Sequence, residues 1–146
     1  MTTVGQILDR KGHQTYSLPP DATVYEAIRI MAENSVGALL VLDGGKVVGI
    51  ISERDYARKV ILRGKQSRET RVSEIMTQPV HVVTPDCTVD EAMSLVTHAR
   101  IRHLPVLRGD QIEGVVSIGD LVRSIVDEQA RQIEQLHAYI TGQYPG

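Results

Sequence analysis

The sequence predicts a mixed α/β (α+β) fold built from two tandem β-α-β-β-α repeats. The 146-residue chain aligns with itself without a gap over residues 20–60 when it is shifted by 65 positions. In each copy an apolar run leads into a Ser that is followed three positions later by Asp, at Ser52 and Asp55 and again at Ser117 and Asp120. The chain has no Trp or Phe, so we expect an aliphatic core. Because one repeat is too small to bury both of its faces, we expect the two to pack together with pseudo-twofold symmetry.

The chain begins with a segment for which we predict one short helix. Val4, Ile7 and Leu8 are apolar at helical spacing, and Gly12 then breaks the pattern. Residues 16–18 have the pattern of a short strand that two prolines end. This strand is the first element of repeat 1.

The first helix of each repeat is predicted to begin with a capping box. Thr23 with Glu26, and Thr88 with Glu91, have the residue types and spacing for reciprocal bonds between side chain and backbone. Apolar stripes at helical spacing follow in both repeats. They consist of Val24, Ala27, Ile28 and Met31 in repeat 1, and of Val89, Ala92, Met93 and Val96 in repeat 2.

Each repeat continues with a predicted β-hairpin. In repeat 1, residues 38–42 and 47–51 are β-rich and flank an Asp-Gly-Gly-Lys turn. In repeat 2, residues 104–107 and 112–116 flank a turn of the sequence Arg-Gly-Asp-Gln. Apolar residues follow one another in these runs, as expected for strands that are covered on both faces.

A second helix follows each hairpin, and two further elements lead into repeat 2. We predict helices from Ser52 to about residue 63 and over residues 120–140. Residues 72–76 are predicted to form a helical turn, and residues 80–83 a strand. Each repeat therefore consists of a strand, a helix, two strands and a helix.

These elements divide the chain into five predicted segments. A loose tail is expected from Gly142 onward. The segments are an N-terminal segment 1–14, repeat 1 at 15–64, a polar linker 65–79, repeat 2 at 80–126, and a C-terminal helix extension with the tail at 127–146.

The last helix carries apolar residues spaced like a short seam. They are Val126, Ala130, Ile133, His137 and Ile140. Two partners are open for this seam: the body of the same chain, or a second subunit.

Composition and charge exclude several classes of protein. The net charge of −2 gives no general attraction to nucleic acid or to anionic membranes, and no run reaches the roughly 18–20 apolar residues of a membrane span. One cysteine excludes an internal disulfide framework, and the first residues lack a signal-peptide pattern, so a cytoplasmic location is expected. No metal cluster or nucleophile–base set is found, so no enzyme is expected.

The repeated Ser-x-x-Asp motif has two interpretations. A helix that begins at Ser52 or Ser117 presents free N–H groups and a positive dipole end to a phosphate, and an Asp one turn later can accept from a ribose diol. The alternative is a simple helix cap. The duplication after matching strands favours binding, and a Ser that caps leaves its Asp able to face a cleft. A basic run from Arg58 to Arg71 is interpreted as a solvated face.

The duplicated order of motifs resembles the CBS domain pair, or Bateman module. Repeat 2 carries Val80-His81-Val82-Val83-x-Pro85-Asp86-x-Thr88-Val89-x-Glu91-Ala92, then Arg102-His103-Leu104-Pro105-Val106, then Gly114-x-x-Ser117-x-x-Asp120; Ile75-Met76-Thr77 precedes it. Repeat 1 lacks the Arg-His and the Pro, having Gly37-Ala38-Leu39-Leu40-Val41. The resemblance covers residues 13–126 and implies a stand-alone regulatory pair, not an enzyme.

The resemblance also implies ligands and their contacts. Such pairs bind AMP, ADP, ATP, NAD or S-adenosylmethionine between the repeats, signal to a regulated protein, and associate as flat homodimeric discs. Asp55 and Asp120 would hold ribose. Phosphate would lie near Ser52, Arg54, Arg102, His103 and Ser117. The pocket of Ser52 and Asp55 would be bordered by Met76, Thr77 and His81, and that of Ser117 and Asp120 by Lys11, Thr15 and Tyr16. Val36, Gly37, Ala38 and Ile101 would supply the apolar walls.

A rival interpretation keeps the fold without the ligand. In it the clefts are degenerate, and the C-terminal helix is a surface for dimerisation or for another protein.

Overall fold

The computed structural model describes residues 1–142, which fall into two compact units. We call residues 14–82 the repeat-1 unit, and residues 1–13 together with the chain from residue 83 onward the repeat-2 unit. Beyond Gly142, the predicted tail lies outside the described residues. The elements are α1 (Val4–Lys11), β1 (Ser17–Leu18), α2 (Val24–Asn34), β2 (Ala38–Asp43), β3 (Lys46–Ser52), α3 (Glu53–Tyr56), a π-helix (Ala57–Ile61), α4 (Val72–Ile75), α5 (Val89–Ala99), β4 (His103–Arg108), β5 (Gln111–Ser117) and α6 (Ile118–Ile140).

The repeat-1 unit contains a three-stranded sheet in the order β1-β2-β3. Strand β1 runs parallel to β2, and β2 and β3 form the predicted antiparallel hairpin. The sheet side chains Leu39, Val41 and Ile51 pack with Val24 and Met31 of α2. The core is aliphatic, as predicted, and the mixed α/β class is confirmed.

The repeat-2 unit is built around the antiparallel hairpin of β4 and β5. The register is that of repeat 1 shifted by 65 positions, so that Ala38 pairs with Ser52 and His103 pairs with Ser117. Buried Leu104, Val106 and Val116 of the hairpin pack against α1, α5 and α6. The predicted hairpins are therefore confirmed in both repeats.

The strand predicted at residues 80–83 is wrong, because only one isolated parallel bridge forms there, between Val83 and Val106. Proline explains the difference. In repeat 1 the N–H of Leu40 donates to the carbonyl oxygen of Tyr16 at 3.0 Å. The residue 65 positions after Leu40 is Pro105, which has no N–H to donate. The parallel pairing in repeat 2 is therefore limited to the two backbone hydrogen bonds of Val83, with Pro105 and Leu107.

The helix starts are close to prediction. In α5 both halves of the capping box between Thr88 and Glu91 form, whereas in α2 only the bond from the Glu26 N–H to Thr23 forms. No contact among residues 1–142 described above accounts for the missing half. Helix α1 is confirmed, and Thr3 caps it together with Gln6.

The second helix of repeat 1 differs from the prediction after one turn. α3 ends at Tyr56, and the chain continues as a π-helix in which the N–H of Leu62 bonds to the carbonyl of Ala57 at 3.1 Å. In repeat 2 the corresponding helix α6 is a regular α-helix that begins at Ile118. Widened turns of this kind occur often at functional sites.

Two short helices, α1 and α4, occupy equivalent places in the two units. The N–H of Val4 donates to Cys87 at 2.9 Å, and the N–H of Val72 donates to Ala22 at 2.8 Å. Cys87 and Ala22 are 65 positions apart, so the two contacts correspond. The helix that precedes repeat 1 in the chain therefore packs in the repeat-2 unit, while α4, from the predicted linker, packs in the repeat-1 unit.

A glycine in each hairpin makes room for these short helices. A Cβ atom on Gly114 would lie 2.8 Å from Cδ2 of Leu8 in α1. A Cβ atom on Gly49 would lie 2.4 Å from the sulfur of Met76, directly after α4. Real Cβ contacts are longer, so any larger residue would force the side chain of Leu8 or Met76 to shift from its place on the strand.

We predict that Gly114→Ala lowers the free energy of unfolding by about 1–3 kcal/mol, since Gly114 has a φ of +158° that side chains rarely adopt and the added methyl group overpacks against Leu8. Gly119→Ala is the matched control, because its Cβ would meet only the Ser117 hydroxyl at 3.6 Å. Urea denaturation of both variants measures the difference. Equal unfolding midpoints for the two variants would contradict the close packing of α1 on β5.

Candidate functional site

The first junction between a strand and a helix is built around the carboxylate of Asp55. The Ser52 hydroxyl accepts from the Asp55 N–H at 3.2 Å, which caps α3. In return, Oδ2 of Asp55 accepts from the Ser52 N–H at 3.0 Å and from its hydroxyl at 3.1 Å. Asp55 is only 8% exposed, so this motif buries a carboxylate at a helix start.

Two further side chains donate to the other oxygen of Asp55. The Thr77 hydroxyl lies 3.1 Å from Oδ1, and the Lys59 ammonium also lies 3.1 Å from it. Lys59 is fixed in turn by a 3.0 Å bond to the carbonyl of Ile75. A carboxylate has about four acceptor positions, and here four donors point at it. Asp55 is therefore well satisfied by its own chain.

The second junction repeats this geometry with a different cation. The Ser117 hydroxyl accepts from the Asp120 N–H at 3.1 Å, and Oδ2 of Asp120 accepts from the Ser117 N–H at 2.8 Å. The ammonium of Lys11 donates to the same Oδ2 at 2.5 Å and to the carbonyl of Val115 at 3.0 Å. Oδ1 lies 3.6 Å from Arg123, beyond hydrogen-bond distance.

The charges around Asp120 keep it ionised. Burial raises the pKa of its carboxyl, but the Lys11 ammonium and the Ser117 N–H outweigh burial and bring the pKa below its ordinary value. The residue at position 124, equivalent to Lys59, is a buried Ser. In the second junction the cation therefore comes from α1. In the first it comes from the helical segment that carries Asp55 itself.

A cavity of about 180 Å³ opens beside Asp120. Three basic side chains line it: Arg10 and Lys11 from α1, and Arg123 from α6. Asp127 lines the same cavity and brings a second carboxylate. The cavity is therefore rich in charge, with one more cation than anion.

His13 adds a second tie between the end of α1 and β5. Its Nδ1 lies 2.8 Å from the carbonyl oxygen of Glu113, and its Nε2 lies 3.1 Å from the carboxylate of Asp9. Both partners accept, so only the imidazolium donates to both. The Glu113 carbonyl and the Asp9 carboxylate accordingly raise the pKa of His13.

The start of each hairpin lies directly beside its junction. The carbonyl of Gly37 accepts from the Glu53 N–H at 3.0 Å. In repeat 2 the carbonyl of Arg102 accepts from the Ile118 N–H at 2.8 Å, and His103 pairs with Ser117 across the ladder. The predicted neighbours of both Ser-x-x-Asp motifs are therefore brought to them.

The CBS domain family description matches residues 4–62 and 72–127, which together make up most of the chain. The chain belongs to the CBS-domain family. CBS pairs are in general regulatory modules that bind adenosine ligands.

Individual relatives agree with this assignment. The mitochondrial CBS domain-containing protein CBSX3 of Arabidopsis thaliana is 41% identical over 98% of this chain and 74% of its own. The structure of a putative signal-transduction protein with CBS domains from Burkholderia ambifaria is 50% identical with a TM-score of 0.83, over 88% and 96% of the two chains. A hexameric CBS-CP12 protein from bloom-forming cyanobacteria is 26% identical with a TM-score of 0.77, over 98% and 91%.

The other predicted site residues of this CBS pair are distributed as follows. Val36 and Met76 pack against the core of the repeat-1 unit, and Ile101 packs against that of the repeat-2 unit. Ala38, a predicted wall residue, pairs with Ser52 across the ladder. Arg54 is half-buried in the first turn of α3.

Three predicted residues are not brought to a junction by any described contact. Tyr16 packs against the repeat-1 core, while Thr15 and His81 are half-buried and exposed, respectively. Thr15 and Tyr16 were predicted to border the Asp120 pocket. The proposed positions of Thr15 and Tyr16 and the role of His81 therefore stay predictions.

Sequence reasoning missed Lys59. It was interpreted as part of a solvated basic face, and this is wrong, since it binds the buried Asp55. Its spacing was the available signal, because a Lys four residues after an Asp lies on the same helical face. Arg68, of the same basic run, lies 4.1 Å from the ring centre of Tyr25.

The remaining chemistry of the described residues is modest. Burial raises the pKa of the Cys87 thiol, and the carboxylates of Glu91 and Asp86 raise it further, so it is not an activated nucleophile. Residues 1–142 contain no group of three or more His, Cys, Asp or Glu side chains placed to hold a metal. In the same range no helix has the length and apolar character to cross a membrane.

We predict that Asp120→Asn lowers the free energy of unfolding by about 1–3 kcal/mol at pH 7, because a charge-assisted bond is lost. The folded pKa of Asp120 lies below the unfolded value, so the contribution of its carboxylate is present above about pH 4 and is lost as the pH falls through the folded pKa. The variant should therefore lose less stability than the parent on acidification.

Urea denaturation between pH 7 and pH 2.5 measures this effect. Asp110→Asn, at an exposed residue of the β4–β5 turn, is the control and should follow the parent. An acid profile of Asp120→Asn that runs parallel to the parent profile would contradict the ion pair with Lys11.

Proposed function

We propose that this CBS pair is a regulatory module that binds an adenine nucleotide (AMP, ADP, ATP or NAD) and controls a separate protein. The observation that carries the proposal is the buried Asp at the start of a helix in each repeat, at Asp55 and at Asp120. A simple cap needs only an exposed polar side chain. A buried carboxylate with a cation beside it is costly, and its repetition favours a common task in both repeats.

The ribose diol is the ligand group that suits these carboxylates. At Asp120 a hydroxyl can approach Oδ1 at the expense of a 3.6 Å ion pair with Arg123. At Asp55 it must displace Thr77 or Lys59, which both lie 3.1 Å from Oδ1. We therefore expect the Asp120 pocket to bind more tightly.

Phosphate groups of the ligand would meet the first N–H groups of α3 and α6. The side chains proposed for them are those near the junctions: Ser52, Arg54, Arg102, His103 and Ser117. The basic cavity beside Asp120 gives the second pocket additional positive charge through Arg10 and Arg123. These assignments are proposals drawn from the family resemblance and from this arrangement.

Ligand binding can become a signal through Lys11. The ammonium of Lys11 ties α1 to both Asp120 and Val115. One hydroxyl of the ribose diol takes Oδ1 of Asp120, and the second competes with Lys11 for Oδ2 and so weakens the tie. A ligand shifts a conformational equilibrium only through unequal affinity for the two states, and this competition supplies the inequality.

We also propose that the protein acts as a cytoplasmic homodimer and has no catalytic activity. The hexameric cyanobacterial relative supports self-association, and the single, poorly reactive cysteine supports a reducing compartment.

The alternative function is a ligand-free interaction module. The full set of donors around Asp55 favours it, because that carboxylate needs no ligand to be satisfied.

Thermal unfolding with AMP, ADP, ATP, NAD and S-adenosylmethionine separates the two. We expect at least one adenine compound, at a hundred times its dissociation constant, to raise the Tm by about 5–10 °C. Asp120→Asn should lose most of that shift relative to its own ligand-free Tm, and Asp110→Asn should retain it. If none of the compounds raises the Tm of parent protein that carries no ligand beforehand, the interaction module is the correct function.

A further inference from the structure

The end of α6 projects an apolar seam that its own unit does not cover. The side chains that α6 buries are Asp120, Leu121 and Ser124. Beyond them, Val126 is 56% exposed, Ile133 68%, Leu136 59% and Ile140 73%. The repeat-2 unit therefore leaves this part of α6 uncovered.

The exposed residues follow a heptad repeat. Starting from Gly119, the steps along the seam alternate between three and four residues, through Val122, Val126, Gln129, Ile133, Leu136 and Ile140. Positions a are thus Gly119, Val126, Ile133 and Ile140, and positions d are Val122, Gln129 and Leu136. This seam covers about three heptads and differs from the predicted one, which included Ala130 and His137 and omitted Leu136.

Positions a of the seam lie on the side of α6 that faces away from the unit, whereas Gln129, at position d, lines a cavity beside the start of α5. At 3.6 residues per turn, Val126 and Ile133 are more than a quarter turn from Leu121 and Ser124. The first turn of α6 is fixed by the Ser117 cap and by burial of Leu121. The helix therefore needs no nucleation step and presents its seam preformed.

We propose that this seam forms a parallel, in-register, two-stranded coiled coil with a second copy of the chain. Val126, Ile133 and Ile140 stand at positions a. Leu136 stands at a position d, and β-branched residues at a with Leu at d favour parallel dimers. The inference rests on the self-association proposed above and not on nucleotide binding.

The charge pattern suits a second copy. From Ile125 to Ile140, all the Asp, Glu and Arg side chains stand at positions b, c and f. Positions b, c and f lie opposite the seam, and we call this side of α6 the outer face. Arg131 and Glu128 form an ion pair there. No like charges therefore oppose each other when two identical helices meet along the seam.

Gln129 specifies the parallel direction. In a parallel pair its amide faces the same amide of the other copy, and each can donate to and accept from its counterpart. In an antiparallel pair, position d faces position a, and the amide would be buried against Val or Ile without a partner.

Disulfide cross-linking of Leu136→Cys in a Cys87→Ala background tests the proposal. Ala is compatible with position 87, because repeat 1 carries the buried Ala22 at the equivalent place. In a parallel pair the two introduced thiols are adjacent, so oxidation should link the chains at least about tenfold faster than for Gln135→Cys, on the outer face. Adding Ile133→Glu to Leu136→Cys should abolish the link, and adding Gln135→Glu should preserve it.

Light scattering on the reduced proteins measures their oligomeric state. It separates the coiled-coil proposal from the broader proposal that the protein is a homodimer. A monomeric parent overturns both the homodimer and the seam. A dimer in which Leu136→Cys links no faster than Gln135→Cys overturns the seam alone. A mixture of Val126→Cys and Leu136→Cys chains that links faster than either variant by itself overturns the parallel orientation.

Discussion

The structure depends on a buried carboxylate at the point where a strand becomes a helix. Asp55 and Asp120 each bond back to the serine that caps their helix, and each needs a cation because burial alone disfavours its charge. The hairpin register sets where the serine stands, and the short helix packed on the hairpin's glycine brings Thr77 or Lys11 to the same place. The hairpin register, the helix cap and the short helix are therefore all needed to surround the carboxylate with donors.

The two repeats place cations from different elements beside their buried carboxylates. In repeat 1 the cation is Lys59, from the π-helix that follows α3. In repeat 2 it is Lys11, from a helix at the other end of the chain. In the proposed function, a ligand at the second junction would act on α1 through the contact between Lys11 and Asp120, which repeat 1 does not have. Ligands at the two junctions would then have unequal effects.

The duplication made most of the fold predictable, because helices and hairpins with strong local patterns occur twice. The failures are local and physical. The strand at residues 80–83 was predicted by analogy with β1, but Pro105 removes the N–H that the analogous Leu40 donates. Ser52 and Asp55 were identified by spacing, whereas Lys59 was hidden among other cations. The family resemblance placed Lys11 at the border of the Asp120 pocket, but its ion pair with Asp120 depends on the packing of α1 and has no local sequence signal. The π-helix has no sequence signal that we recognise.

The most direct test of the account is a crystal structure of the protein grown with AMP. We expect the ribose hydroxyls to lie within hydrogen-bond distance of both carboxylate oxygens of Asp120, and the Lys11 ammonium to have left its position 2.5 Å from Oδ2. AMP bound with its ribose away from both Asp55 and Asp120, or with the Lys11–Asp120 bond intact beside it, would contradict the account.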